Sequence, residues 1–213
     1  MNWDPTDGPK RRGYHHGNLR EALVEAALRL IGEKGPAGFT IAEAARAAGV
    51  SPAAPYRHFR DREELMADVA KRGFEAFAQA LRQAWDRGRP EPRAALLRVG
   101  MGYLDFARRE PAAYAAMFET PFPAECPPGL RAASDDAFTV LREACDAVLA
   151  EMNLVRRPPG LMVALHIWSM AHGIASLFAR GDAARRPLPM SPEDLLEAGV
   201  RVYLDGFSAG SPA

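Results

Sequence analysis

The chain has 213 residues, 27 basic and 27 acidic side chains, and a composition that is 48% hydrophobic. That is enough apolar material for a real core, in one large or two small domains. Two cysteines, Cys126 and Cys145, supply neither a disulfide framework nor a zinc spacing, and no apolar leader opens the chain, so a reducing cytoplasm is expected.

Zero net charge argues against nucleic acid as a partner, but its distribution argues the other way. From Lys10 to Arg60 there are nine Lys/Arg against four Glu, a net of +5, and the remainder carries −5. A basic head on an acidic body is the footprint of a DNA-binding protein.

Residues 1–13, rich in Pro, Gly and Asp, read as a disordered arm. Lys10, Arg11 and Arg12 close it, and either lie on phosphates or in a minor groove or merely solubilise the terminus. His15 and His16 are adjacent, so on a helix they do not face each other, and no metal site is expected. An amphipathic helix follows from Asn18 to Lys34, with Leu19, Leu23, Ala26, Ala27, Leu30 and Ile31 on one face and Gly35-Pro36 as its stop.

Residues 40–59 predict two short helices joined by a tight turn. Thr40 and Glu43 make a capping box, and Phe39 before it is placed to staple onto Ala44. Gly49 suits the left-handed residue past the first helix. Ser51 then caps the second helix, Pro52 takes its first position, and Pro55 removes a donor at small expected cost. In such a helix-turn-helix the second helix enters the major groove. Ala53 and Ala54, at its leading end, are small enough to touch thymine methyls. Tyr56, Arg57 and His58 bring donors suited to phosphate oxygens. A second acidic cap, Asp61 with Glu64, starts a helix that runs to about Trp85 with Leu65, Val69, Phe74, Phe77 and Leu81 as apolar positions. No linker separates head from body there.

Residues 15–65, with Gly-Val-Ser-Pro-Ala-Ala-Pro-Tyr-Arg-His-Phe-Arg-Asp-Arg-Glu-Glu-Leu at their heart, resemble the N-terminal domain of TetR/AcrR-family bacterial transcriptional regulators. The resemblance implies that Ala53 and Ala54 face bases, that Tyr56, His58 and Arg62 hold phosphates, and that Thr40 touches the DNA backbone. Relatives often carry Lys where this chain has Arg62; the cation is kept and a bidentate bond becomes available.

Arg87 to Pro92 is a Gly/Pro break, followed by a helix from Ala94 to Arg108 and a short one opened by Pro111 with Tyr114, Met117 and Phe118. Residues 119–129 hold four prolines and read as a loop, and a helix runs from about Leu130 to Met152. Leu161 to Ala179 carries no charged side chain over 19 positions. Its His, Ser and Gly residues, and the lack of a second span, argue against a membrane helix. It shows two apolar stripes, one of Leu161, Leu165, Trp168, His172, Ala175 and Ala179, the other of Val163, Ile167, Met170, Ile174 and Phe178. A helix apolar on two faces is buried on both. After a Ser191-Pro192 cap, a last helix from Glu193 to about Ser208 places Leu195, Gly199, Val202 and Gly206 on one side. The second stripe and this side are the expected homodimer interface, a four-helix bundle about a two-fold axis.

Trp168-Ser-Met-Ala-His172-Gly173 resembles the Trp-His-Gly signature of one class of TetR-like C-terminal domains. His172 reads either as a core histidine or, with Trp168, as one wall of an effector pocket that Phe77, Met101, Met117, Phe118 and Phe138 complete. Haem ligation by His166 or His172 has no supporting motif, and no cofactor or metal is expected.

The expected architecture is therefore all-α. It comprises the arm (1–13), a three-helix helix-turn-helix head (14–72), and an effector-binding and dimerisation body (73–213), about nine helices in all. The expected function is a repressor released from an inverted-repeat DNA operator by a small molecule. A constitutive DNA-binding regulator is the alternative. An enzyme or carrier with an incidental helix-turn-helix is the remote one, because HExxH, a phosphate-cradling Gly loop, a G-x-S-x-G elbow and paired metal ligands are all missing.

Overall fold

A computed structural model describes residues 19–122, 126–154, 156–179 and 189–208. Among these there are eight α-helices and no strand, so the fold is all-α. The helices are α1 (Leu19–Lys34), α2 (Ile41–Ala47), α3 (Arg62–Trp85), α4 (Pro92–Arg109), α5 (Pro111–Phe118), α6 (Pro128–Glu151), α7 (Gly160–Ala179) and α8 (Pro192–Ser208). The arm with Arg11 and Arg12 lies outside the described residues.

Local signals set most of the boundaries. The Thr40 hydroxyl accepts from Glu43 N at 3.2 Å, and a Glu43 carboxylate oxygen accepts from Thr40 N at 2.8 Å, closing the predicted capping box. Gly49 has φ +74°. Its N–H reaches Arg46 O at 3.0 Å while Val50 N reaches Ala45 O at 2.9 Å, the paired bonds of a Schellman turn. Asp61 caps α3 by accepting from Glu64 N at 2.8 Å. At its far end Asp86 and Arg87 both take positive φ, which stops α3 before the predicted break. Ser191 caps α8, accepting from Asp194 N at 3.0 Å.

The second helix of the head departs from expectation. It is a four-residue 3-10 turn, Ala54–Arg57, and Ser51 gives it no side-chain cap. The cause is Pro55. In an α-helix its N–H would donate to the Ser51 carbonyl, and it has none; that carbonyl takes Ala54 N instead, at 3.0 Å, in the tighter register.

Two cores share one helix. Leu65, Met66 and Val69 of α3 are buried with Leu23, Ala27, Ile31, Phe39, Ala44 and Phe59 in the head. Phe74, Phe77 and Leu81, further along α3, are buried with Leu96, Tyr103, Val140 and Ile167 in the body. The body wraps α3 with α4, α5 and α6, and α7 and α8 complete it against α4 and α6. A second head–body contact had no sequence signal: α1 packs on α5. Ala116 of α5 is fully buried in the head core, and Gly32 of α1 stands opposite Ala112.

The second stripe of α7 turns inward and the first is divided, Trp168, His172 and Ala175 packing inside the body with it. Val163, Ile167 and Ile174, expected at the dimer interface, are buried in the chain's own core. Leu161 and Leu165 of the other stripe are half exposed, as is Leu177. Both stripes have helical spacing and similar apolarity, so spacing alone does not choose which turns inward. The helix is long and apolar enough by composition to span a membrane, yet its inner face is part of this core.

Candidate nucleic-acid interface

The head presents its chemistry on the 3-10 turn. Ala53, Tyr56, Arg57 and His58 are exposed, Ala54 is half-buried, and Pro55 and Phe59 anchor the segment inward. Among the described residues Tyr56, Arg57 and His58 have no side-chain hydrogen bond or ion pair. A phenol, a guanidinium and an imidazole therefore stand together with their donors uncommitted, the arrangement that suits phosphate oxygens.

Thr40 and Arg62, also expected to face DNA, are committed to the head itself. The Thr40 hydroxyl serves the capping box, donating to Glu43 at 3.0 Å. Lys34 Nζ lies 2.7 Å from the other oxygen of that carboxylate. Lys34 first, then the Thr40 amide and hydroxyl, hold the Glu43 carboxyl down at about 2. Arg62 donates through Nε to Phe39 O at 2.8 Å and through a second nitrogen to Pro36 O, with its guanidinium over the Phe39 ring at 4.7 Å. It clamps the α1–α2 connection to the start of α3.

In the body, Phe77, Phe118, Phe138, Trp168 and His172 of the expected pocket do come together, but as a packed cluster. Phe138 lies 5.3 Å from Trp168, and Phe118 5.0 Å from His172, between ring centroids. Phe77 meets Tyr103 edge-on at 5.0 Å. Met117 is buried beside Gly73, where a Cβ would come within 2.8 Å of its sulfur. Met101 lies outside the cluster. It stands two residues from Tyr103, roughly 160° away around α4.

Tyr103 and Tyr114 were missed as site residues. Both are buried, and both hydroxyls lie 2.9 Å from His172 Nδ1. Burial first, and then the neighbouring Tyr114, push the Tyr103 phenol's pKa up, so it stays protonated. Tyr103 was legible as a polar handle on the inward spacing Val99, Tyr103, Ala107. Cavities lie beside the cluster, and Met117 of the expected pocket lines one of them. One of about 370 Å³ is lined by Leu104, Ala107, Pro111, Ala175, Phe178 and Pro192 with Arg108 and Glu193 beside them, and one of about 260 Å³ by Phe74, Met117, Phe122, Cys126 and Leu130 among others. Cys145 is a core residue whose thiol burial pushes up to about 12.

Of the remaining expected interface residues, Met170 and Gly199 face each other between α7 and α8, where His166 also bonds Tyr203 at 2.8 Å. Leu195 packs against the core and Phe178 lines the 370 Å³ cavity. Val202 is 74% exposed, and Gly206 is exposed. Among the described residues, a Cβ added at Gly206, or at Gly173 of α7, would meet no atom within 4 Å.

Comparison with known proteins matches these two halves separately. Residues 23–69 match the model described as bacterial regulatory proteins, tetR family. Residues 96–203 match the tetracyclin repressor-like C-terminal domain. An HTH-type transcriptional regulator BetI from Brucella anthropi is 32% identical over 101 residues, covering 46% of this chain and 52% of that protein. BetI from Rhizobium meliloti is 51% identical over 47 residues, 22% of this chain and 23% of that protein. The chain thus spans about half the length, or less, of these relatives. Among solved structures, a protein of unknown function from Rhodococcus sp. RHA1 superposes with TM-score 0.79 at 26% identity, over 92% of this chain and 99% of that one. AibR, solved with isovaleryl coenzyme A and operator DNA, shares the fold with TM-score 0.63 at 18% identity, over 86% of this chain and 96% of its own. With both of its halves matched, the C-terminal one over more than half of the sequence, the chain belongs to the TetR family of bacterial regulators.

Proposed function

We propose that the chain is a cytoplasmic, DNA-binding regulator of transcription that acts as a homodimer on an inverted-repeat operator, as a repressor released by a small molecule. The observation that carries this is the exposed, uncommitted group Tyr56, Arg57 and His58 beside Ala53 on the rigidly capped head. Tyr56, Arg57 and His58 take phosphates, Ala53 and Ala54 face bases, and Arg11 and Arg12 extend the contact from the arm. Thr40 and Arg62 sit at the edge of this surface and fix its shape.

Two heads need a two-fold partner, and the strip Leu161, Leu165, Gly173 and Leu177 with Val202 and Gly206 offers one. Open space over Gly173 and Gly206 lets a second copy's helices approach closely. Residues 14–72 then form the DNA-binding unit, and 73–213 the effector and dimerisation unit. Release follows from α5, which touches the head through Ala116 and the body cluster through Tyr114 and Phe118. A ligand that prefers a different placement of α5 shifts the population toward heads that no longer fit DNA.

Selection of bound duplexes from a random pool tests the first part. An enriched inverted repeat, bound with steep salt dependence, is the expected result; weak binding of every duplex alike would sink it. Compound screening for release of that duplex tests the second. A constitutive regulator is the second reading, favoured by one observation: the chain's own rings fill the place where the effector pocket was expected.

A further inference from the structure

The cavity of about 370 Å³ sits where α4 and α7 end and α5 and α8 begin. Its apolar walls include Leu104 and Ala107 of α4, Pro111 of α5, and Ala175 and Phe178 of α7. The same three helices supply the Tyr103, Tyr114 and His172 group. Ala107 follows Tyr103 by four residues, Ala175 follows His172 by three, and Pro111 precedes Tyr114 by three. The cavity therefore lies about one helical turn from the packed rings.

Two side chains of opposite charge stand beside this apolar space, Arg108 and Glu193. Arg108 pairs with Asp105 at 2.6 Å, but its side chain is 70% exposed, and an exposed pair of that kind is held weakly. Asp105 is shared besides with Arg109, at 2.9 Å, so one carboxylate serves two guanidinium groups. Glu193, half-buried in the first turn of α8, has no hydrogen bond or ion pair among the described residues. Nor do Arg108 and Glu193 pair with each other. A cation and an anion at the edge of one apolar space complement a molecule that carries both charges next to an apolar body. A carboxylic acid would leave Glu193 unused, and an amine would leave Arg108.

We propose that this cavity is the effector site and that its ligand is an α-amino acid with an apolar side chain. The side chain fills the space between the four helices, Arg108 takes the carboxylate, and Glu193 takes the ammonium group. A volume of about 370 Å³ is at the small end for ligand pockets, which suits side chains from leucine to tryptophan. The proposal rests on the reading of this protein as a regulator released by a small molecule, and adds where that molecule sits and what it is. Pro111 links the site to the head, because α5 begins there and carries Ala116 into the head core.

The test uses the full chain. L-leucine, L-phenylalanine and L-tryptophan are titrated by calorimetry. The tightest is then compared with its decarboxylated amine and its deaminated acid, each of which lacks one of the two charges. The amino acid is expected to bind about tenfold tighter than either analogue. Glu193→Gln is expected to abolish its advantage over the acid only, and Arg108→Gln its advantage over the amine only. Ala175→Leu, which fills the cavity, is expected to remove binding of all three; should that variant unfold, the two charge variants still decide. The amino acid is also expected to release the duplex enriched from a random pool, followed by fluorescence anisotropy. No binding by any of the three amino acids overturns the proposal while an enriched duplex keeps the DNA-binding regulator in place. So does an analogue that binds as tightly as its parent, binding that a folded Ala175→Leu retains, or a bound amino acid that leaves the duplex where it was. Failure to enrich any duplex is a different result: it removes the regulator reading and the effector role with it, while calorimetry still decides the amino-acid site.

Discussion

The Tyr114 hydroxyl of α5 lies 2.9 Å from His172 Nδ1 of α7, and this bond joins the helix that packs on α1 to the helix that carries the half-exposed leucines. Tyr103 of α4 reaches the same nitrogen at the same distance. Three helices thus meet at one imidazole inside a shell of rings, where each polar atom needs its partner. Tyr114→Phe is expected to lower unfolding free energy by about 1 kcal/mol. It should also change duplex affinity, because α5 carries α1. Urea unfolding and anisotropy on the same preparation check both, and an unchanged affinity would mean that α5 does not couple to the head.

Tyr56→Phe and His58→Ala are expected to weaken binding to unrelated duplexes by a similar factor, about fivefold for each lost contact, with stability unchanged. Phosphates carry no sequence, so the ranking of duplexes should stay the same. A reordered ranking in either variant would reassign that side chain to a base edge.

Arg62 gives the opposite expectation. Its guanidinium joins the Pro36 and Phe39 carbonyls and covers the Phe39 ring. Arg62→Lys keeps the charge but loses the fork and the planar cover, and is expected to lower stability by about 2 kcal/mol. A phosphate-holding Arg62 would instead tolerate Lys, leaving stability and affinity as they were. Thermal melts with and without duplex distinguish the two.

The two faces of α7 should answer differently to substitution. Leu165→Glu, on the half-exposed strip, is expected to yield a folded monomer with stability of the isolated fold changed by under about 0.5 kcal/mol. Ile167→Ala, in the core, is expected to cost about 2–5 kcal/mol without exposing a new surface. Sedimentation velocity and urea titration together read this out. A dimer persisting in Leu165→Glu would place the two-fold axis elsewhere.

Glu43 predicts an acid limb in the stability curve. Its folded pKa, about 2, lies below the ordinary 4.5, so its contribution is complete above 4.5 and is lost as pH falls toward 2. Glu43→Gln is expected to flatten this limb of a urea-midpoint profile and to leave the region above pH 5 with the same slope. An unaltered limb would mean that the Lys34–Glu43–Thr40 group contributes nothing in solution.

What the sequence made legible is what neighbours in the chain decide. Thr40 with Glu43, Asp61 with Glu64, Gly49 and Pro111 act within four residues, and each sits where its chemistry predicts. Pro55 acts just as locally, but its consequence depended on which register the Ser51 carbonyl would choose. The rest is long-range. Arg62 is 23 residues from Phe39 and Tyr103 is 69 from His172, and no periodicity links either pair. The stripes of α7 gave the right helix but not which residues it leaves outside, because two apolar stripes are equivalent until α4, α6 and α8 are in place.

The sharing of α3 between two cores has a mechanical consequence. With 24 residues and no break, it is a rod about 36 Å long, held in the body core by Leu81 near one end and in the head core by Met66 near the other. Swinging such a rod by about 10° carries its far end roughly 6 Å, close to the height of two base pairs. Two rods in a symmetric pair double the change in separation between their tips. In the proposed dimer the distance between half-sites would thereby be converted into an angle set deep in the body, and a rearrangement too small to open a cavity there would be large enough to move a head off its groove.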